Sequence, residues 1–245
     1  MADNEKQIID WQPNPDLPGG APLGRHLWHD NNNRLWRALG AVRPIPTTSP
    51  VTRPWYTRQV YFQEGSSCTA QAATGVAFAT SPYTARHTKT SKKSYDTEAE
   101  RHALYLEAQR NDPWDGGEPD YYGSSTDAPY RVLRDRGEIK AWRWLFGVEE
   151  IWHWLEFYGP CSIGTNWFEN MDYPDSKGLV RATGGLRGGH AYRLIYHDLK
   201  KQMTLAVNSW SRQWGLNGRF WILDHDLREL IDFQQGEAVT VEMPA

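Results

Sequence analysis

Pro160 divides this chain into two halves with different hydrophobic periods. Before it, apolar residues recur at helical spacing. From Cys68 onward, Ala70, Ala73, Val76 and Ala77 predict a helix buried on one face. EAERHALYLEAQR predicts a second helix, with Ala103, Leu106 and Ala108 among its apolar positions. YRVLRDRG predicts a third, stopped by Gly137 at its C-cap. GVEEIWHWLEFYG predicts a fourth, with Val148, Ile151, Leu155 and Tyr158 at i, i+3, i+7 and i+10. After Pro160 the pattern turns to strands: CSIGTN, HAYRLIYH, MTLAVNSW, GRFWIL and EAVTVEM. Helices first and strands later, without βαβ alternation, imply an α+β fold in two segregated lobes.

Residues 1–44 read as an N-terminal arm rich in Pro, Gly, Asn and Asp, with one amphipathic piece at NNNRLWRALG. The remainder, 45–245, is long enough to bury a substantial core, its helical lobe at about 45–145 and its β lobe at about 146–245. The net charge of −3 carries no basic footprint for nucleic acid. No apolar stretch approaches a bilayer span, and MADNEKQIIDWQPNPD has no signal-peptide core. Two cysteines in 245 residues argue against a disulfide framework and suit a reducing compartment. The expectation is a cytoplasmic protein of a bacterium or an infected host cell, binding neither nucleic acid nor membrane, its oligomeric state open. His26 and His29 in RHLWHD could suggest a metal pair, yet no third ligand accompanies them, so neither metal nor cofactor is expected. His87, His102 and His153 fall on polar loops or helix surfaces. Thirteen tryptophans are many for this length, and the run AWRWLFGVEEIWHWLEF reads as packing rather than a ligand cage.

The candidate chemistry starts at Cys68, in QEGSSCTAQAATGVAFA, where a small-residue turn opens into the first helix. A helix N-terminus presents unpaired N–H groups and a positive dipole end, which favour the thiolate, the attacking form. A lone cysteine near a helix start is more often a buried small hydrophobe, as Cys161 is expected to be in its strand. What changes the reading is the downstream chain: GGHAYRLIYHD around His190, then VNSWSRQWGLNGRFWI around Asn208. Nucleophile, base and orienting amide follow in the order Cys, His, Asn.

These segments resemble those of the papain-like cysteine peptidases, most closely compact bacterial and phage-encoded members, over roughly residues 45 to 235. In that family the cysteine opens the long helix of a helical lobe, and the histidine follows a small pair at the start of a strand in an antiparallel β lobe. The asparagine stands in N-S-W-G-x-x-W-G-x-x-G. Asn208, Ser209, Trp210, Trp214, Gly215 and Gly218 match that pattern, with Ser211 replacing a glycine. The resemblance implies a Cys68 acyl-enzyme, His190 as acid and base, Asn208 orienting the imidazole and Trp210 shielding that hydrogen bond. It implies an oxyanion hole from the Cys68 N–H and an upstream glutamine. Gln63 is the candidate, five residues before the cysteine where the family usually has six. Gly123 and Ser124 would form the edge that binds substrate backbone, and Gly189 and Trp210 would complete the groove. GPCSIGTNW resembles the family's GPVSVAI strand. The expected activity is cleavage of peptide or isopeptide bonds in a peptide or protein substrate. The same triad serves deamidases, transglutaminases and cell-wall peptide hydrolases. A silent peptide-binding module, or a phage assembly module using the arm, is the alternative outside enzymology. The family's long inhibitory propeptide is not expected, because the leader before residue 45 is short and lacks its helical motif.

Overall fold

A computed structural model describes residues 5–38, 49–57, 59–79 and 95–242 of the chain. His87, most of the polar loop around it and the first half of the Pro-rich segment 43–54 lie outside the described residues. In chain order the elements are β1 (Glu5–Gln7), β2 (Arg25–His29), α1 (Cys68–Ala77), α2 (Glu98–Gln109) and β3 (Ser124–Ser125). Then come α3 (Ala128–Asp135), β4 (Ala141–Leu145), α4 (Val148–Phe157), β5 (Cys161–Phe168) and β6 (Leu179–Val180). β7 (Leu186–Asp198), β8 (Met203–Val207), β9 (Arg219–Leu223), α5 (Asp224–Arg228) and β10 (Glu237–Glu242) complete the chain. The architecture is α+β, as the sequence pattern requires.

Seven strands form the main sheet, in the order β4-β10-β5-β7-β8-β9-β6. All its pairings are antiparallel except β6 with β9. Its centre is the long ladder of β5 on β7, which sets Thr165 opposite His190 and Gly164 opposite Ala191. One core lies around this sheet and α4, built on Ile163, Trp167, Tyr192, Leu194, Phe220, Ile151 and Leu155. A second fills the space among the helices, with Leu104, Tyr105, Tyr130, Leu133, Trp142 and Trp144. The tryptophan run is therefore shared between two cores. β4, which contains Trp142 and Trp144, joins the sheet edge beside β10 although it precedes residue 146.

Local signals account for the helix ends. Thr97 and Glu100 make a reciprocal capping box at the start of α2. At the end of α3, Gly137 takes φ +70°. Its N–H bonds Arg134 O and the Glu138 N–H bonds Leu133 O, a Schellman closure. That helix begins at Ala128, two residues earlier than the apolar period suggests, with Pro129 in its first turn.

α1 departs from expectation. It is buried along its whole length and not on one face, because it lies between the sheet strands β5 and β7 and the helices α2 and α3. Its small residues make that possible. A Cβ on Gly75 would come within 2.2 Å of the Arg193 guanidinium, itself buried and bonded to Thr57 O. Helix propensity alone would make Gly75→Ala stabilising by up to ~1 kcal/mol. Because the added methyl meets Arg193, we expect a loss of about 1–3 kcal/mol in urea unfolding.

The arm also enters the body of the protein. β1 pairs antiparallel with β2, and β2 runs parallel to β3. Seven consecutive residues, Ala21 to Leu27, are buried. Among the described residues no helix is long and apolar enough to cross a membrane.

Candidate active site

The loop that turns through Gly65, at φ +61°, delivers Cys68 as the first residue of α1. β7 carries His190 in the centre of the sheet, and Asn208 directly follows β8. Asn208 Oδ1 lies 2.8 Å from His190 Nε2 and also accepts the Ser209 backbone N–H at 2.7 Å. The second bond fixes which end of the amide faces the ring, so His190 Nε2 is the nitrogen that donates. Trp210 stacks on the imidazole at 5.0 Å between centroids, and Trp167 meets it edge-on at 4.9 Å. Both indoles exclude water from the His–Asn bond. This leaves His190 Nδ1 for proton exchange; it is buried and has no hydrogen-bond partner among the described residues.

Gln63 reaches the same place. Its backbone N–H bonds Ser209 O, and its Oε1 accepts from the Ser209 hydroxyl. Its Nε2 donates to Gly65 O at 2.9 Å and to Pro22 O at 3.1 Å. Trp210 Nε1 donates to the same Pro22 carbonyl at 3.2 Å. The next residues of the arm continue through the cleft. The Gly24 N–H bonds Gly189 O at 3.0 Å, and Gly24 O accepts the Ser124 N–H at 2.8 Å. A Cβ on Gly24 would stand 2.1 Å from Ser66 O, one on Gly189 2.0 Å from Arg25 O, and one on Gly123 2.6 Å from Gly24 O. Gln63, Gly123, Ser124, Gly189 and Trp210 thus hold one stretch of chain, Pro22 to Arg25, which passes Cys68 at Gly24.

Burial determines the electrostatics. The Cys68 thiol is pushed up to about 12, chiefly by burial, although backbone N–H groups of Ala191, Thr69 and Gly24 act in the opposite direction. His190 is lowered to about 3, again chiefly by burial, against the raising effect of Asn208. The helix-terminus argument for a thiolate does not hold in this arrangement. A dipole contributes ~0.3–1 kcal/mol, less than one pKa unit, whereas full burial can move a group by 3–5 units. With the arm in place both groups are neutral near pH 7, and no hydrogen bond joins Cys68 to His190.

Several residues of the site carry no sequence signal of their own. Trp167 is one. Arg187 is another: it pairs with buried Asp172 and donates to the carbonyls of Gln12, Gly20 and Ala21, fixing the arm as it enters. Arg25 and Glu237 are a third case, a buried pair at 2.9 Å. The RHLWHD histidines separate: His26 Nδ1 accepts the Ile9 N–H, and His29 lies 3.8 Å from Glu237.

No family model matches this sequence, and no curated protein does. Solved structures do resemble it. Xylellain, a cysteine protease from Xylella fastidiosa, aligns with a TM-score of 0.57 and 15% identity, over 85% of this chain and 95% of its own. The Amb a 11 cysteine protease of ragweed pollen, in its proform, gives a TM-score of 0.51 at 13% identity, covering 81% of this chain and 72% of that one. Bromelain from Ananas comosus, in complex with the inhibitor E64, gives 0.51 at 13% identity, covering 77% and 95%. The chain therefore has the papain-like fold.

A thiol with its pKa near 12 is neutral from pH 6 to 9, so its thiolate fraction rises about tenfold per pH unit over that range. Iodoacetamide labelling of Cys68 in the intact protein should follow that slope without levelling off. A plateau between pH 5 and 7 would mean that a thiolate is already formed beneath the arm.

Proposed function

We infer that this chain is a cysteine-dependent hydrolase of peptide or isopeptide bonds whose own N-terminal arm closes its cleft. The observation that carries this reading is the fixed imidazole: Asn208 Oδ1 and two indoles hold His190 with Nδ1 free, and the next residue, Ala191, packs against Cys68 at the start of a helix. Once the arm leaves, Cys68 Sγ gives its proton to His190 Nδ1 and attacks the substrate carbonyl carbon. The carbonyl oxygen gains the negative charge, and the Cys68 N–H and Gln63 Nε2 are its proposed donors. The C–N bond then breaks as His190 protonates the departing amine, leaving a thioester. Water, deprotonated by His190, releases the acid and restores the thiol.

Occupancy of the groove supports the closed state. Pro22 O takes the Gln63 donor that the oxyanion would need. The filled cleft also favours a second reading, a silent scaffold that holds an extended peptide. A deamidase or transglutaminase would use the same residues on a side-chain amide.

The full-length Gly24→Val variant separates these readings, because its side chain cannot pass Ser66 O and expels the arm. We expect it to cleave a fluorogenic peptide library at least tenfold faster than the parent and to be labelled by E64 at Cys68. Cys68→Ala should abolish turnover, and Gln63→Ala should lower kcat/KM by ~100–1000-fold. A folded Gly24→Val protein that neither cleaves peptides nor takes E64 would favour the silent scaffold.

A further inference from the structure

Two of the three indoles clustered at His190 hang on one residue, Asp172. It ends the 3-10 turn Glu169–Asp172 that follows β5, and its side chain is 1% exposed. Trp167 Nε1 donates to its Oδ1 at 2.8 Å, and Trp214 Nε1 donates to its backbone carbonyl, also at 2.8 Å. Arg187 Nη1 meets both carboxylate oxygens, at 2.6 and 2.8 Å, and Asn14 Nδ2 donates to Oδ2 at 2.7 Å. The third indole is held otherwise: Trp210 Nε1 donates to Pro22 O of the arm at 3.2 Å. Trp167 stands at 76° to Trp210 and Trp214 at 83° to it, so the three rings brace one another.

The hydrogen bond to Asn208 fixes one atom of the imidazole, Nε2. The plane of the ring, which aims Nδ1, is fixed by what packs against it, Trp210 at 29° and Trp167 at 77°. Each indole N–H decides where its ring can sit, because a buried donor is costly to leave without an acceptor. Departure of the arm takes Pro22 O from Trp210 and frees that ring to shift. Among the partners of Asp172 named above, Asn14 belongs to the arm, while Trp167, Trp214 and Arg187 stay behind. A carboxylate buried against Arg187 does not turn away, since that would leave a buried guanidinium uncompensated. Trp167 therefore keeps its acceptor, and with it its place against the imidazole, at the moment when the thiol needs a base.

We propose that Asp172 is a positioning residue for the reaction: acting through Trp167, it holds the plane of His190 after the arm has left. The proposal rests on the hydrolase reading above. Misplacing a catalytic group by ~1 Å can cost on the order of 100-fold in rate, so the bond between Trp167 and Asp172 is felt in kcat.

The test uses the full-length Gly24→Val protein as the parent of a double-mutant cycle. Trp167→Phe keeps an aromatic ring but removes the Nε1 donor, and Asp172→Ala removes its acceptor. Each should lower kcat about tenfold or more while KM stays within about threefold. Combined, they should cost no more than about twice the larger single loss, because both break one bond. Losses that multiply, losses carried by KM alone, or an unchanged kcat in either folded variant overturn the proposal while sparing the hydrolase. If Asp172→Ala does not fold, Trp167→Phe decides by its own kcat and KM. If Gly24→Val neither cleaves peptides nor is labelled by E64, the hydrolase reading fails, and positioning is read by proton NMR instead. Exchange of the His190 Nε2 proton with water should then be about tenfold faster or more in Gly24→Val/Trp167→Phe than in Gly24→Val. An unchanged exchange rate removes the role from Asp172. Thermal melts confirm that each variant is folded.

Discussion

The passage of Gly24 between Ser66, Ser124 and Gly189 is the constraint on which the rest of the site depends. A backbone can pass there only because no side chain projects from it, and because its N–H and C=O find partners on opposite walls. The walls come from distant parts of the sequence: the turn before α1, the short strand β3 and the start of β7. Threading them with one strand ties the helices to the sheet. It also brings partners to the buried carbonyls of Ala21, Pro22 and Gly24, supplied by Arg187, by Gln63 and Trp210, and by Ser124.

The same passage reverses the chemistry expected of a cysteine at a helix start. The dipole of α1 is intact, but covering the sulfur and the imidazole removes the solvent that would stabilise a thiolate and an imidazolium. Neutral thiol and neutral imidazole are what a dry, filled cleft favours. The His–Asn bond persists because it joins neutral groups and is walled by Trp167 and Trp210. On the proposed reading, the orienting half of the machinery is complete beneath the arm, and only the proton transfer from Cys68 awaits exposure.

The helices and the strands after Pro160 were legible because their apolar residues repeat with a period, and α3 and α2 carry their caps in the sequence. Cys68, His190 and Asn208 were legible through the short patterns around them. β4 was not, since Trp142 and Trp144 alternate with Arg143 over a run of only five residues that leads straight into the tryptophan-rich helix α4. The course of the arm was hidden for a different reason. Its residues are extended and aperiodic, and the partners of Gly24 stand 100 and 165 positions away. Glu237 has no local signature at all, and reads from sequence as one more strand residue. Its meaning comes from Arg25, which only folding brings to it. Gln63, one residue off the family spacing, still reaches Ser209, because the turn at Gly65 absorbs the difference.

That the arm is covalently part of the chain has a kinetic consequence. A tethered segment faces its groove at an effective concentration typically on the order of millimolar for a short tether, whatever the concentration of protein. Closure of this cleft is therefore unimolecular, and dilution cannot relieve it. A single cut between Ala38 and Ser49 would convert the arm into a separate peptide. Its rebinding would become bimolecular, and dilution would then move the equilibrium toward the open groove.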